Sequence, residues 1–138
     1  MSMAMQLDMF AQAPVEPQLP VARVHPLNPR AFDMSDCHRE VIDCGDGVVV
    51  TLIIARCADG LLRGTANYTS KIGGIGGPVF DSDYGTDSFH GARAHALLRL
   101  CIRVRGTGNT KLLKKIEAIP LDFWARGDVI TANACSQA

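Results

Sequence analysis

The run Val48-Val49-Val50-Thr51-Leu52-Ile53-Ile54-Ala55-Arg56 constrains this chain more than any other segment. It is β-branched and almost continuously apolar, which is the pattern of a strand covered on both faces. It is too short to cross a bilayer, so it must be buried inside a protein. Gly45-Asp46-Gly47 before it and Asp59-Gly60 after it are tight-turn signals, because these residues tolerate positive φ. A strand buried between two turns needs neighbours on both sides. Arg39-Glu40-Val41-Ile42-Asp43-Cys44 alternates in part and supplies one. Leu61 to Ser70, with Leu62, Ala66 and Tyr68 on one face, supplies the other. The three predict an antiparallel meander.

Helices are expected on either side of it. Asn28-Pro29 reads as an N-cap followed by proline at the first helical position, which predicts a short helix over 29–36. After the meander, Gly73-Gly74-Ile75-Gly76-Gly77-Pro78 predicts a break in regular structure. Thr86-Asp87-Ser88 offers caps for a helix over 88–105. Phe89, Ala92, Ala96, Leu97, Leu100, Cys101 and Val104 form its apolar stripe, and Gly106 its stop. A second helix is expected from Thr110 to Ile119, ended by Pro120. Leu121-Asp122-Phe123-Trp124 is expected to add a further turn over the core. The expected class is α+β: a three-stranded antiparallel meander with helices packed on one face, in the order α-β-β-β-α plus a C-terminal helix.

An apolar fraction of 47% over 138 residues fits one such domain with tails and excludes wholesale disorder. The domain is expected over 29–126, with a flexible tail over 127–138. Residues 11–28 are expected to be a Pro-rich linker: Pro14, Pro17 and Pro20 recur with the period of polyproline II, which rises ~3 Å per residue. A ligand for an SH3-like groove is the competing reading of these prolines. Ahead of them, residues 1–10 are expected to act as a docking peptide.

Within that peptide, Gln6-Leu7-Asp8-Met9-Phe10 resembles the bacterial sliding-clamp-binding motif, which has glutamine first, leucine second, serine or aspartate third, an aliphatic fourth and phenylalanine last. Met9 stands where leucine is commoner, and methionine fills irregular pockets. The resemblance covers five residues and implies a clamp as partner. Gln6 would orient the peptide by hydrogen bonds, while Leu7, Met9 and Phe10 fill an apolar pocket. The alternative is a tail that folds back on the domain, or an arm exchanged between subunits of a homo-oligomer. The α-β-β-β-α order is also similar to the double-stranded-RNA-binding domain. That family has lysines where this helix begins Ser88-Phe89-His90-Gly91-Ala92-Arg93, so its phosphate contacts do not carry over.

Net charge is zero, which excludes a global basic or acidic signal, but the charge is unevenly placed. Residues 1–87 carry −5 and residues 88–138 carry +5. Such a division makes either a basic working surface or two halves that attract each other. Arg93, Arg99, Arg103, Lys111 and Lys115 are the candidates for contact with nucleic-acid phosphates; a solvated helix face is the alternative.

Catalytic signals are weak. The glycine loop lacks the Lys-Ser/Thr of a P-loop and the fingerprint of a dinucleotide site. Asp81-Ser82-Asp83-Tyr84-Gly85-Thr86-Asp87 misses the calcium-loop positions for glycine and glutamate. Together with His90 these aspartates suit an acid/base or metal site only loosely. Cys37-His38, Cys44 and Cys57 are zinc-type residues without ligand spacing. The expectation is a non-enzymatic protein with no metal and no cofactor. Five cysteines in no disulfide pattern, no signal peptide and no apolar span predict a reduced, cytoplasmic protein with no membrane partner.

Overall fold

The computed structural model describes residues 18–120. The fold is α+β. Its centre is a four-stranded antiparallel sheet in consecutive order: β3 (His38–Gly45), β4 (Val48–Arg56), β5 (Leu62–Ser70) and β6 (Gly73–Ile75). A two-stranded ribbon, β1 (Val24–His25) and β2 (Asn28–Phe32), precedes it. Two helices follow, α1 (Phe89–Gly106) and α2 (Thr110–Glu117).

The run that most constrained the fold forms β4, paired with β3 on one side and β5 on the other. Gly45, Asp46 and Gly47 all take positive φ in the turn that precedes it, and Gly60 does so in the next. Side chains alternate across the sheet. Ile42, Val50, Leu52 and Ala66 meet Ala96, Leu97, Leu100 and Val104 of α1 and Leu112 and Ile116 of α2. Ile53 and Ala55 point the other way and pack with Ala22, Phe32, Cys57 and Val79. The strand is thus buried on both faces only in its second half; Val49 and Thr51 stay partly exposed on the open face.

Three expectations are corrected. No helix occupies 29–36. Asn28–Phe32 is extended and bonds onward to the loop after β6, Phe32 N to Val79 O at 2.9 Å and Asp81 N to Arg30 O at 2.8 Å. The fixed φ of Pro29 suits a strand as well as a first helical turn. The only helical turn here is the 3₁₀ segment Met34–Asp36, capped by the Asp33 side chain. Second, the glycine segment is not wholly irregular: Gly73–Ile75 pairs with Tyr68–Ser70 as a fourth strand. Third, residues 18–28 are not all linker. Ala22 is buried and donates its N–H to Arg56 O at 2.8 Å, and Leu19 packs against Ile54, Leu62, Phe89 and Ala92.

The helices follow their caps. Ser88 Oγ accepts from Gly91 N at 2.9 Å, and Asn109 Oδ1 from Leu112 N at 3.1 Å. Gly106 is the last residue of α1 rather than its stop; Gly108, at φ +77°, turns the chain. The expected turn at Leu121–Trp124 and the tail over 127–138 lie outside the described residues.

Candidate interaction surfaces

The clamp-type peptide Gln6–Phe10 lies outside the described residues, so the folded surfaces are those of the domain. The basic residues picked from the sequence do not form one stripe. Arg93 is a correction: its side chain is fully buried and forms a two-pronged ion pair with Glu40, itself buried, so no phosphate can reach it. Its Nη1 also donates to Pro120 O at 2.6 Å. Arg93 sits on the apolar side of α1, between Phe89 and Leu97 in the buried stripe, and its helical spacing was the available signal.

Arg99 is committed to the loop before α1. Its Nη1 lies 2.8 Å from Asp83 Oδ1, and Asp83 Oδ2 accepts from Phe80 N at 2.8 Å. The Asp83 carbonyl takes Arg63 Nε at 2.9 Å, and Arg63 in turn holds Asp59 through two bonds. Asp83 is therefore a structural staple. Asp81 lies against Arg30 instead, at 3.7 Å, so the aspartates do not gather into an acid/base site. Among the described residues no group of three or more His, Cys, Asp or Glu is placed to hold a metal ion. Cys37 and Cys57 border the ribbon-side core while Cys44 faces the helices, so these thiols are divided by the sheet.

Arg103 is exposed and lies beside Thr65 and Ala66 of β5. Lys111 and Lys115 are elsewhere, at the turn between β3 and β4. Lys115 Nζ is 2.7 Å from Asp46 Oδ2. The Lys115 ammonium holds the Asp46 carboxyl below its ordinary range, with smaller contributions from Lys71 and Lys111. The structure thus brings Lys111 and Lys115 together with Lys71, from the β5–β6 turn, around a single carboxylate. Lys71 was passed over because nothing local marks it; only the meander carries the β5–β6 turn to the same end of the sheet as the β3–β4 turn.

Two further surfaces emerge from the fold. A groove of about 400 Å³ lies on the open sheet face, floored by Thr51, Ile53, Asn67 and Thr69, with Arg39 and the Gly74–Gly76 backbone at its margins. Asn67 Nδ2 donates to Gly77 O at 2.9 Å and fixes one wall. Hydroxyls, an amide and one guanidinium beside Ile53, Met34 and Ile75 suit an extended polar ligand. On the outside of α1, Leu98 and Ile102 are 48% and 63% exposed, one helical turn apart, and Tyr84 stacks on His95 with ring centroids 4.7 Å apart.

Among the described residues no helix is long and apolar enough to cross a membrane. No protein-family model matches this sequence, and no curated protein or solved structure matches it.

Proposed function

We propose that this chain is a non-enzymatic accessory or inhibitory protein of bacterial, phage or plasmid origin that docks on the DNA sliding clamp and acts beside DNA. The observation that carries the reading is the peptide Gln6-Leu7-Asp8-Met9-Phe10, which offers three apolar anchors and one directional amide in the order such a pocket accepts. It precedes a domain whose first backbone bond to the sheet, among the described residues, is that of Ala22. Residues 11–17, with Pro14 and Pro17, then serve as a spacer between peptide and domain.

The basic corner of Lys71, Lys111 and Lys115 supports the second half of the reading. Three ammonium groups around one carboxylate leave a local positive excess in a chain of zero net charge, and phosphates are the natural counter-charge near a clamp. Arg103 adds a separate contact on the other flank.

The deciding experiment is binding of the full chain to a purified bacterial clamp immobilised on a sensor surface. Saturable binding that is lost in the Gln6→Ala/Phe10→Ala double variant is expected. Absence of binding, or binding indifferent to those two substitutions, removes the proposal.

A further inference from the structure

The turn between β3 and β4 is built around one carboxylate. Gly45, Asp46 and Gly47 take φ of +86°, +56° and +79°, and Asp46 is the one non-glycine residue at positive φ among the described residues. Aspartate tolerates this region better than most side chains. Its side chain is 82% exposed, and Lys115 Nζ closes on its Oδ2 at 2.7 Å. A Cβ added at Gly45 would lie 4.0 Å from the same Nζ. A Cβ added at Gly47 would meet the Lys71 stem, at 3.1 Å from both Cγ and Cε. Two lysines thus lie against the glycines that flank Asp46. Lys111 precedes Lys115 by one turn of α2, a spacing that places both on one face.

The charges at this turn do not balance. Lys71 and Lys111 are exposed, and neither makes an ion pair among the described residues. The other carboxylate of the turn, Asp43, accepts from Gly45 N on its Oδ1 at 2.9 Å and pairs with none of the lysines. Asp46 is held below its ordinary range by Lys115 first, and by Lys71 and Lys111 after it, as expected where three ammonium groups converge on one point. Among the described residues its carboxyl has no hydrogen bond or ion pair except that with Lys115.

Convergence selects among anions. The backbone of a duplex spreads single charges along each strand, one per about 3.4 Å of helix axis, and a surface that follows it needs cations in a row. Here the lysines come from α2 and from the β5–β6 turn and gather around one oxyanion. A phosphate monoester matches that arrangement, with roughly two negative charges at pH 7 on three acceptor oxygens. The resident pair is exposed on the Asp46 side, and such pairs contribute little, so exchanging its carboxylate for a more highly charged group costs little.

We propose that this turn receives the terminal phosphate monoester of a nucleic-acid strand, with Asp46 as the resident counter-ion that the phosphate displaces from Lys115. Such a role rests on the corner working beside DNA, as proposed above, and specifies the group it takes there. Asp46 holds Lys115 in place while the site is empty, and its charge makes a singly charged backbone phosphate a poor competitor.

The test uses the full chain, without any clamp, and blunt DNA duplexes labelled at one 3′ end that carry either a 5′-phosphate or a 5′-hydroxyl. By anisotropy at physiological salt, the wild-type protein is expected to prefer the phosphorylated duplex roughly tenfold or more. Lys71→Gln and Lys111→Gln, with circular dichroism unchanged, each shrink that preference. Asp46→Asn keeps a side chain that tolerates positive φ and is expected to widen it, whereas a general gain in positive field would raise both affinities alike. Inorganic phosphate separates a free anion from a strand end: it is expected to displace the labelled duplex only at far higher concentration than unlabelled phosphorylated duplex does. Equal affinity for the two duplexes overturns the proposal and leaves the corner to backbone contacts. Absence of binding to either also overturns it, while docking through residues 6–10 stands or falls on its own experiment. A preference that survives both lysine substitutions overturns it, as does one that Asp46→Asn leaves unchanged or narrows. Inorganic phosphate that competes as well as the duplex overturns the assignment to a strand end.

Discussion

Arg93 of α1 and Glu40 of β3 are fifty-three residues apart in sequence and meet inside the protein, with Arg93 Nε 3.0 Å from Glu40 Oε1 and Nη2 2.9 Å from Oε2. Both side chains are shut off from solvent. A buried pair of this kind is costly to assemble, because two charges leave water, and far more costly to break. With Pro120 O as a third member, it ties β3, the long helix α1 and the chain just past α2 together.

Glu40→Ala therefore leaves a guanidinium buried with its main partner gone. It is expected to lower unfolding free energy by about 3–5 kcal/mol in urea titrations. Replacing both charges, as Glu40→Leu with Arg93→Met, is expected to cost less than Glu40→Ala alone. A double replacement that is the worse of the two would show that the ion pair contributes net stability.

Gly74 permits the short strand β6. A Cβ at that position collides with the Tyr68 carbonyl oxygen and crowds Thr69 Cα. Gly74→Ala is expected to separate β6 from β5 while leaving the helix-side core intact. The readout is amide hydrogen exchange: protection falls at Tyr68–Ser70, and global stability drops by only about 1–2 kcal/mol.

What was legible in the sequence follows from where the determinants lie. β4, the turns at Gly45–Gly47 and Asp59–Gly60, and the stripe of α1 are local patterns with their own periods, and the structure contains all of them. The N-cap signal at Asn28-Pro29 misled because it is also a strand start; extension of 28–32 is decided by bonds to Val79 and Asp81 that no local reading contains. β6 was invisible because glycine carries no strand preference, and there it is required by the closeness of Tyr68. Arg93 was misassigned by residue type although its spacing marked it as buried. The lysine corner depends on sheet order, which brings together turns distant in sequence.

Acid stability is predicted by the carboxylates held below their ordinary pKa. Asp36 is lowered mainly by its hydrogen bond from Arg23, Asp59 by that from Arg63, Asp46 by that from Lys115, and Asp33 by those from Ser35. A folded-state pKa below the unfolded one gives stability that is present above the unfolded value and lost as pH falls through the folded one. Thermal midpoints are expected to be flat from pH 7 to about 5 and to fall below about pH 4. Lys115→Ala is expected to reduce the part of that fall due to Asp46, measurable by calorimetry across the same range.

Thiol chemistry tests the burial of the ribbon-side core. Burial, with Asp36 nearby, pushes Cys37 up to about 11. Desolvation also raises Cys57 and Cys101. The thiolate is the reactive form, so iodoacetamide at pH 8 is expected to label Cys37 on the order of a hundredfold more slowly in the folded protein than in urea. Peptide mapping by mass spectrometry follows each cysteine separately. Fast native labelling of Cys37 would mean that the Met34–Asp36 turn does not shield it.

The lysine corner makes a quantitative claim about nucleic acid. Each phosphate contact removed lowers the slope of log affinity against log salt by roughly 1. Lys71→Ala and Lys111→Ala are each expected to weaken binding of a labelled duplex by that signature, uniformly across sequences. Arg103→Ala, on the β5 flank, acts separately and adds to either. Arg99→Ala is expected to act chiefly on stability, because its guanidinium holds Asp83 and through it the loop that precedes α1. Anisotropy titrations at several salt concentrations separate these cases, since a loosened loop changes affinity without removing a counterion-release step. A salt slope unchanged by both lysine substitutions would place the DNA contact elsewhere or remove it.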